Sequence, residues 1–521
     1  MDSRMSDRRQ EYHIAEKDTP LAHSLSEKPS RQRQSAKARL ALLTTALLAL
    51  LLLTRLFISP SRPKQIVPGE SKRSTPQKGY QRHPKVSHYW GQYSPFFSLE
   101  KQSEISTAVP PTCNIVFVQA LARHGARYPT SHKSQTYAEL IDSIHKNATG
   151  YKGNYVVLKD YKYQLGADDL TSFGEQQMID SGVEFYDRYT HLARDNVPFV
   201  RSAGSSRVVA SGQFFNQGFQ AAKHRDPESN RTQQSPIINT IIPEGSEWNN
   251  TLDAGSCPSF GSGPADAAQE EFLNVFAPSI LKKISAGLPG VKLETKHVPL
   301  LMDLCPFETV AQNHTGSLSP LCRLFTLSDW QSYDYYNTLG KFYEYGKGNP
   351  LGPTQGVGFV NEVIARMTKS PVKDHTSVNN TLDSDAATFP LDAALYADFS
   401  HDNTITSILF AFGLYNDTAN LPTDQVQSAS KSHGYSSSWT VPFSSRAYIE
   451  MMQCDGDNSA SEQPLVRILV NDRVVPLRRC DVDALGRCKR DDWIRGLEFA
   501  RSGGEWGSCY ETSSSSSSSS S

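Results

Sequence analysis

The sequence lacks an excess of charge of either sign. Its 53 lysine and arginine residues and 54 aspartate and glutamate residues give a formal net charge of -1. Such a chain has no overall attraction for nucleic acid or for acidic partners, so any affinity for an anionic ligand must come from local clusters of basic side chains.

The sequence also lacks CxxC pairs, Cys/His spacings typical of zinc sites, and internal repeats of fixed period. Its 8 cysteines all follow the single hydrophobic segment, and so do the Asn-x-Ser/Thr sequons at Asn147, Asn230, Asn249, Asn313, Asn379 and Asn416. An even cysteine count beside glycosylation acceptors indicates an oxidising, glycosylating compartment, with reduced core cysteines as the alternative. We therefore expect the bulk of the protein to lie outside the cytoplasm.

Long hydrophobic runs are scarce, and only residues 40–58 approach the length of a membrane span. Residues 40–54 carry no charge, and the apolar stretch resumes after Arg55. A membrane helix needs about 20 apolar residues, whereas a signal-peptide core has roughly 7 to 15. The lead of residues 1–39 is long for a signal peptide, and no clear Ala-x-Ala site follows. These features favour a transmembrane signal-anchor with the main domain outside; a cleaved signal peptide and a secreted protein are the alternative.

Three further segments have compositions that do not form a core. Residues 1–39 are polar and predicted to be disordered, residues 59–85 are rich in proline and basic residues and predict an exposed stalk, and residues 513–521 are a serine tail. The overall 38% hydrophobic and 10% aromatic content is typical of globular proteins. The folded domain is therefore expected over residues 86–512.

Three segments of this domain share one pattern, in which a short apolar run is followed by a polar loop and then by a helix. The apolar runs and their loops are 115–121 with 123–129 (RHGARYP), 198–200 with 201–207, and 394–399 with 400–403. This alternation predicts an α/β domain with a largely parallel sheet. Ligands bind such sheets beyond the carboxyl ends of the strands, where helix N-termini present free N–H groups, so the three loops should converge.

The loops contain the groups that hydrolysis of a phosphate monoester needs. Positive charge around the phosphate oxygens is available from Arg123, Arg127 and Arg207, a nucleophile from His124, and an acid for the leaving group from Asp402. A histidine between guanidinium groups is a poor base. This arrangement therefore indicates a site in which a dianion binds among the positive charges. Each loop alone also fits a surface loop, a helix cap or a solvated arginine. The joint placement favours phosphate chemistry.

These residues resemble the histidine acid phosphatases. The RHGARYP and HDN loops carry the resemblance, and similarity to the fungal phytases of that family extends over nearly all of residues 88–510. Other matching stretches are 88–97, 204–207, 349–356 and 469–476. The resemblance implies a central mixed, largely parallel sheet flanked by helices, the phosphoglycerate-mutase-like histidine phosphatase fold, with a smaller mainly helical domain inserted at roughly 225–345.

The resemblance also implies a role for each residue of the site. His124 becomes a phosphohistidine and Asp402 is the proton donor, with no metal and no cofactor. The scissile phosphate is held by Arg123, Arg127, Arg207 and His401. The wider substrate pocket contains Gln92, Tyr93, Lys133, Lys341 and Asn403, although the lysines equally fit solvated surface positions. The implied disulfides are Cys113–Cys454, Cys257–Cys509, Cys305–Cys322 and Cys480–Cys488.

The sequence departs from the fungal pattern at three positions. Thr136 and Gly340 stand where similar enzymes often carry lysine, which lowers the positive potential of the pocket. Arg82 stands where a fifth disulfide is expected, so the segment that carries Gln92 and Tyr93 should be looser.

We therefore predict a monomeric phytase that acts on a small phosphomonoester at acidic pH and binds no nucleic acid. An acid phosphatase of broad specificity is the alternative among enzymes, and a phosphotransferase related to phosphoglycerate mutase is disfavoured by the cysteines and sequons. A membrane-tethered phosphate-binding protein is the alternative without catalysis, but it would need neither His124 nor Asp402.

Overall fold

The computed structural model describes residues 83–312, 317–454 and 463–511. The predicted N-terminal tail, the hydrophobic segment 40–58, most of the stalk, Arg82, Asn313 and the serine tail lie outside these ranges. Within them, no helix combines the length and the apolar character needed to cross a membrane. Residues 84 and 85, assigned above to the stalk, instead begin a short helix, because Pro84 suits the first helical turn.

An eight-stranded mixed sheet forms the centre of this region, in the order β3-β2-β4-β1-β5-β6-β7, with β8 beside β6. The strands are β1 (Cys113–Arg123), β2 (Phe199–Ala203), β3 (Ile238–Ile242), β4 (Leu395–Ser400), β5 (Arg446–Cys454), β6 (Leu465–Val470), β7 (Arg473–Val475) and β8 (Cys488–Lys489).

The sheet is mixed, as predicted, but its parallel share is smaller than predicted. Only β3, β2, β4 and β1 run parallel, and the pairings from β1 to β5 onward are antiparallel. The C-terminal connections explain this difference. Asn471 and Asp472, both with positive φ, form the two-residue turn between β6 and β7, and such turns return the chain antiparallel to itself.

Helices flank the sheet and also form a separate run between β3 and β4. They are α1 (Pro84–Ser87), α2 (Ser131–Asn147), α3 (Val157–Asp160), α4 (Ser172–Arg188), α5 (Thr190–Ala193), α6 (Ser206–Arg225), α7 (Gly263–Gly287), α8 (His297–Ala311), α9 (Leu327–Glu344), α10 (Val357–Thr368), α11 (Asn380–Asp383), α12 (Asp402–Ala411), α13 (Ser437–Thr440), α14 (Arg490–Gly496) and α15 (Glu498–Arg501). Helices α7, α8 and α9 lie within the predicted helical insertion. Strand β3 belongs to the central sheet, so the helical stretch starts later than residue 225.

Strands β2 and β4 are buried along their whole length, and β2 is longer than predicted. Strand β2 continues through Arg201 to Ala203 instead of ending before Arg201. The buried Arg201 guanidinium lies 3.0 Å from Asp398 and 2.5 Å from Glu362, and Arg366 lies 2.7 Å from the same Asp398. These pairs explain how charged residues occupy the interior, since a buried charge is tolerated only with such partners.

All four predicted disulfides are present, and no cysteine in the described ranges is free. The first of them joins Cys113 and Cys454, which face each other across β1 and β5. Among the sequon asparagines, Asn147, Asn249 and Asn416 are exposed, whereas Asn230 and Asn379 are half-buried.

Candidate active site

The predicted polar loops meet at one edge of the sheet, where the parallel strands end. Arg123 at the end of β1 lies in register with Ser400 at the end of β4. The next residues, His124 and His401, place their rings with centroids 5.6 Å apart. The convergence expected from the sequence is therefore present.

His124 is buried, with 1% of its surface exposed, and its ring is oriented by its own loop. Its Nδ1 lies 2.8 Å from the carbonyl oxygen of Gly125. A carbonyl can only accept, so Nδ1 carries the proton and Nε2 keeps its lone pair. Burial, with further contributions from Arg123 and Arg127, holds the pKa of His124 well below its ordinary value. The ring is therefore neutral, and Nε2 is available as a nucleophile.

The loop that carries His124 is fixed by contacts with helices α4 and α6. The Gly125 N–H donates to Ser211 Oγ (3.1 Å) and the Ala126 N–H donates to Gln177 Oε1 (3.0 Å). Helix α4 approaches so closely that a Cβ on Gly174 would lie 1.9 Å from the Ala126 oxygen. These contacts join positions far apart in sequence, and no local pattern indicates them.

Arg123 is fully buried and is held by backbone carbonyl groups. Its Nη1 donates to the oxygens of Gln92 and of Val441, the latter at 2.7 Å, and its guanidinium lies 4.6 Å from the centroid of the Phe443 ring. Its Nη2 is 3.5 Å from Asp402 Oδ1, and neither Nη2 nor Nε has a hydrogen-bond partner in the described part of the chain. Burial lowers the pKa of Arg123 to about 10, so it stays charged in acid and keeps donors free for an anion.

Arg127 and Arg207 add positive charge beside it. Each has a buried Nε that lacks a partner within the described ranges, and Arg127 Nη1 donates to the Tyr128 oxygen at 2.8 Å. Burial and the neighbouring Arg127 lower the pKa of Arg207. Unsatisfied, mutually repelling guanidinium groups are costly unless an anion binds between them. Arg123, Arg127, Arg207 and His401 together form a basic cluster.

Asp402 does not cap the helix that it begins, which was the simpler alternative for the HDN loop. Helix α12 has no side-chain cap, and the Asp402 carboxylate instead lies 2.7 Å from Lys341 Nζ and 3.5 Å from Arg123 Nη2. Burial alone would raise the pKa of Asp402, but Arg123 and Lys341 hold it well below its ordinary value. Without a ligand Asp402 is therefore a carboxylate, whereas its predicted role needs a proton.

The predicted substrate-pocket residues form two groups. In the first, Lys133 Nζ lies 3.0 Å from Tyr93 Oη and 3.0 Å from Asp303, and Gln92 Nε2 donates to Asn337 Oδ1 at 3.0 Å. Burial opposes the charge of Lys133, but Asp303 and Tyr93 raise its pKa. Although 40% of its side chain is exposed, Lys133 is thus held in place.

In the second group, Lys341 and Asn403 adjoin Asp402. Lys341 is buried and donates to Asn403 Oδ1 as well as pairing with Asp402, and Asn403 Nδ2 donates to Tyr345 Oη at 2.8 Å. Lys341 is therefore part of the site and not a solvated surface residue.

A fourth strand end, which the sequence pattern did not indicate, reaches the same place. Glu244 follows β3 by two residues, and its Oε1 lies 2.8 Å from His401 Nε2. With Asp253 these residues form a group whose ligand-type atoms lie within 4.8 Å of one another. Burial opposes ionisation of Glu244, but hydrogen bonds from His401 and Ser205 lower its pKa to about 2. A single acidic residue between proline and glycine is common in loops, so the sequence around Glu244 did not predict a role in the site.

The family model for the histidine phosphatase superfamily (branch 2) matches residues 114–471, which contain all three polar loops. The chain belongs to this family. Phytase A of Aspergillus oryzae is 55% identical over 445 residues, covering 85% of this chain and 95% of that protein. Phytase A of Emericella nidulans is 55% identical over 439 residues, covering 84% and 93%.

Solved structures agree with the histidine phosphatase fold. The phytase from D. castellii has a TM-score of 0.64 at 22% identity, covering 80% of this chain and 85% of that one. The Bifidobacterium longum multiple inositol polyphosphate phosphatase, in complex with inositol hexasulfate, has a TM-score of 0.56 at 13% identity, covering 79% and 97%. The predicted fold family is thus confirmed.

In this histidine phosphatase a buried carboxyl group lies beside the segment that carries Gln92 and Tyr93. Burial raises the pKa of Asp334 on α9 to about 7, and the nearby donors of Ser438 and Gly91 offset only part of that rise. A carboxyl group whose folded-state pKa is raised stabilises the fold most at low pH, and that stability is lost as the pH rises through the folded pKa. Burial likewise raises the pKa of Asp180 to about 6.

We therefore expect these two carboxyl groups to make the free energy of unfolding fall between pH 4 and pH 8, and Asp334→Asn to weaken this dependence. Urea unfolding at pH 4, 6 and 8 measures it, with Asp142→Asn on the exposed face of α2 as the control. A pH dependence that is identical in the two variants would contradict this assignment.

Proposed function

We propose that this protein is a phytase, which hydrolyses phytate at acidic pH through a phosphohistidine intermediate. The observation that carries the proposal is the free Nε2 of a neutral His124 inside the basic cluster, with Asp402 beside it. The similarity to Phytase A proteins over most of the chain supports the substrate.

The proposed reaction has two steps. The basic cluster binds the scissile phosphate, and His124 Nε2 attacks phosphorus in line with the ester oxygen. The N–P bond forms as the P–O bond breaks, and Asp402 gives its proton to the leaving oxygen. Water then attacks phosphorus, and the Asp402 carboxylate takes a proton from that water. The N–P bond breaks, which returns the electron pair to His124 Nε2 and releases inorganic phosphate.

The first reaction step needs a protonated Asp402, and substrate binding provides for this by changing the charge around the carboxyl group. Arg123 and Lys341 keep the carboxylate ionised in the free protein. A bound phosphate dianion offsets these positive charges, which raises the pKa of Asp402 toward the acidic working range. The proton donor is thus formed when substrate binds, and acidic pH favours it.

Preference for phytate over simpler phosphomonoesters depends on positive charge around the site. Lys133 and Lys341 extend positive charge beyond the basic cluster, as a substrate with several phosphates requires. The alternative, a broad acid phosphatase, is favoured by Thr136 and Gly340, which add no charge. We place the enzyme outside the cytoplasm, since four disulfides need an oxidising compartment, either anchored by residues 40–58 or secreted.

The test compares phosphate release from phytate and from p-nitrophenyl phosphate between pH 3 and pH 8, using the full chain. A phytase gives the larger kcat/KM with phytate and an acidic optimum. Release from the aryl phosphate alone would leave a broad acid phosphatase, and activity rising steadily into alkaline pH would overturn the assignment of the acid.

Restoring charge at Gly340 should strengthen phytate binding. Gly340 on α9 faces α7, where a Cβ would lie 2.7 Å from Gln269 Nε2. The Gln269 side chain, which donates to the Tyr336 oxygen, would have to shift in either variant. Gly340→Lys is expected to lower the KM for phytate several-fold at low salt, with little change for p-nitrophenyl phosphate. Gly340→Ala is the control because it adds the Cβ without the charge. Equal effects of both variants would show that charge is not the cause.

A further inference from the structure

One carboxylate joins two of the loops at the strand ends. Glu244 Oε1 accepts from His401 Nε2 at 2.8 Å and from the Ser205 N–H at 2.8 Å, and Glu244 Oε2 accepts from Ser205 Oγ. His401 directly precedes Asp402, and Ser205 lies two residues before Arg207. Glu244 therefore ties the loop after β4 to the start of α6, and with them two members of the basic cluster.

This contact also fixes which proton His401 carries. The ionised carboxylate of Glu244 only accepts, so Nε2 of His401 is protonated. Nδ1 is the ring nitrogen that remains for a phosphate oxygen, and it donates only when the ring carries both protons. A phosphate-binding His401 is thus an imidazolium, and Glu244 is its counter-ion.

Attraction of substrate does not explain an acid at this position, because a carboxylate repels a phosphate dianion. The titratable groups that face His401 are Glu244 and Asp253 from the loop after β3, His124 from the loop after β1, and its neighbour Asp402. Among the described residues, Glu244 is the hydrogen-bond partner of the His401 side chain. The function that remains for Glu244 is to orient the His401 ring and to compensate its charge.

We propose that Glu244 is a positioning residue for phosphate transfer, which holds His401 as an imidazolium directed at the transferring phosphate and keeps it beside the Arg207 loop. The proposal rests on the proposed function for the identity of the reaction, but it applies to any phosphomonoester.

The test uses Glu244→Gln, Glu244→Ala and Ser205→Ala in the full chain, with the exposed neighbour change Glu247→Gln as the control. Measured are kcat and KM for p-nitrophenyl phosphate from pH 3 to pH 8, and the Kd of inorganic phosphate by calorimetry. Glu244→Ala should lower kcat by about 10- to 100-fold and weaken phosphate binding, since small misplacement of a reacting group has effects of this size. Glu244→Gln keeps an acceptor without charge, so its activity should recover in part but decline at lower pH than that of the wild type.

Ser205→Ala removes the hydroxyl bond to Glu244 but keeps the backbone N–H bond, so it should stay within about threefold of the wild type, as should the control. A kcat and a phosphate Kd of Glu244→Gln within twofold of the wild type, with an unchanged pH profile, would overturn the proposal. Equal losses in Ser205→Ala and Glu244→Ala with unchanged pH profiles would also overturn it, because Glu244 would then only cap α6. If Glu244→Ala fails to fold, Glu244→Gln decides. A wild type that cleaves aryl phosphate but not phytate refutes the phytase proposal alone.

Discussion

His124→Ala is expected to reduce phosphate release from both phytate and p-nitrophenyl phosphate by at least about 10⁴-fold, the scale seen when a covalent nucleophile is removed. The buried Nε2 has no substitute within reach in the described structure. The neighbouring guanidinium groups cannot attack, the ring of His401 is hydrogen-bonded to Glu244, and the Asp402 carboxylate is paired with Lys341. Binding should survive, because the basic cluster is intact.

Rapid quenching with labelled substrate measures the covalent step directly. The wild type should yield labelled protein, and His124→Ala should yield none while still binding inorganic phosphate. His132→Ala, at an exposed position at the start of α2, is the matched control and should retain full activity. Equal phosphate release from His124→Ala and wild type would overturn the phosphohistidine mechanism.

The sequence predicts those parts of the site in which reactive side chains lie next to a recognisable helix or strand pattern. The helix predicted after the RHGARYP loop is an example: Tyr137, Leu140, Ile141 and Ile144 have helical spacing in the sequence, and all four are buried in α2. The polar loops follow buried apolar runs, so their positions at the strand ends could be predicted from sequence.

What the sequence does not show is the pairing of distant charged residues. Arg201 looks like a loop residue until Asp398 and Glu362 neutralise it inside the sheet. Glu244 and His401 are 157 residues apart, and neither sequence position indicates the other. The ionised state of Asp402 likewise depends on Lys341, which is brought to it from α9 by the helical stretch. Local polarity therefore locates the site, whereas tertiary contacts set its protonation states.

The charge state of Asp402 leads to the second large effect. Asp402→Asn removes the acid that protonates the leaving oxygen, and loss of a general acid lowers rates by about 10² to 10⁴-fold. The inositol oxygen of phytate needs that proton, whereas nitrophenolate leaves without it. We therefore expect a loss of this size in kcat for phytate and a much smaller loss in the first step with p-nitrophenyl phosphate.

The second step distinguishes this role from a simple loss of structure. Asp402→Asn also removes the base that takes a proton from water, so p-nitrophenyl phosphate should give a burst of nitrophenol followed by slow turnover, with phosphoenzyme accumulating. The pKa of Asp402 is lowered in the free protein, so its carboxylate stabilises the fold at every pH above the ordinary pKa of an aspartate. This stabilisation is lost only as the pH falls through the lowered pKa. Asp402→Asn should therefore have a smaller free energy of unfolding than the wild type at pH 5. Asp392→Asn, at an exposed position ahead of β4, is the control for loss of a carboxylate outside the site. Asp402 acts in both steps, but only the first step depends on the leaving group. If Asp402→Asn lowered kcat equally for the two substrates and gave no burst of nitrophenol, the proton donor would be another residue.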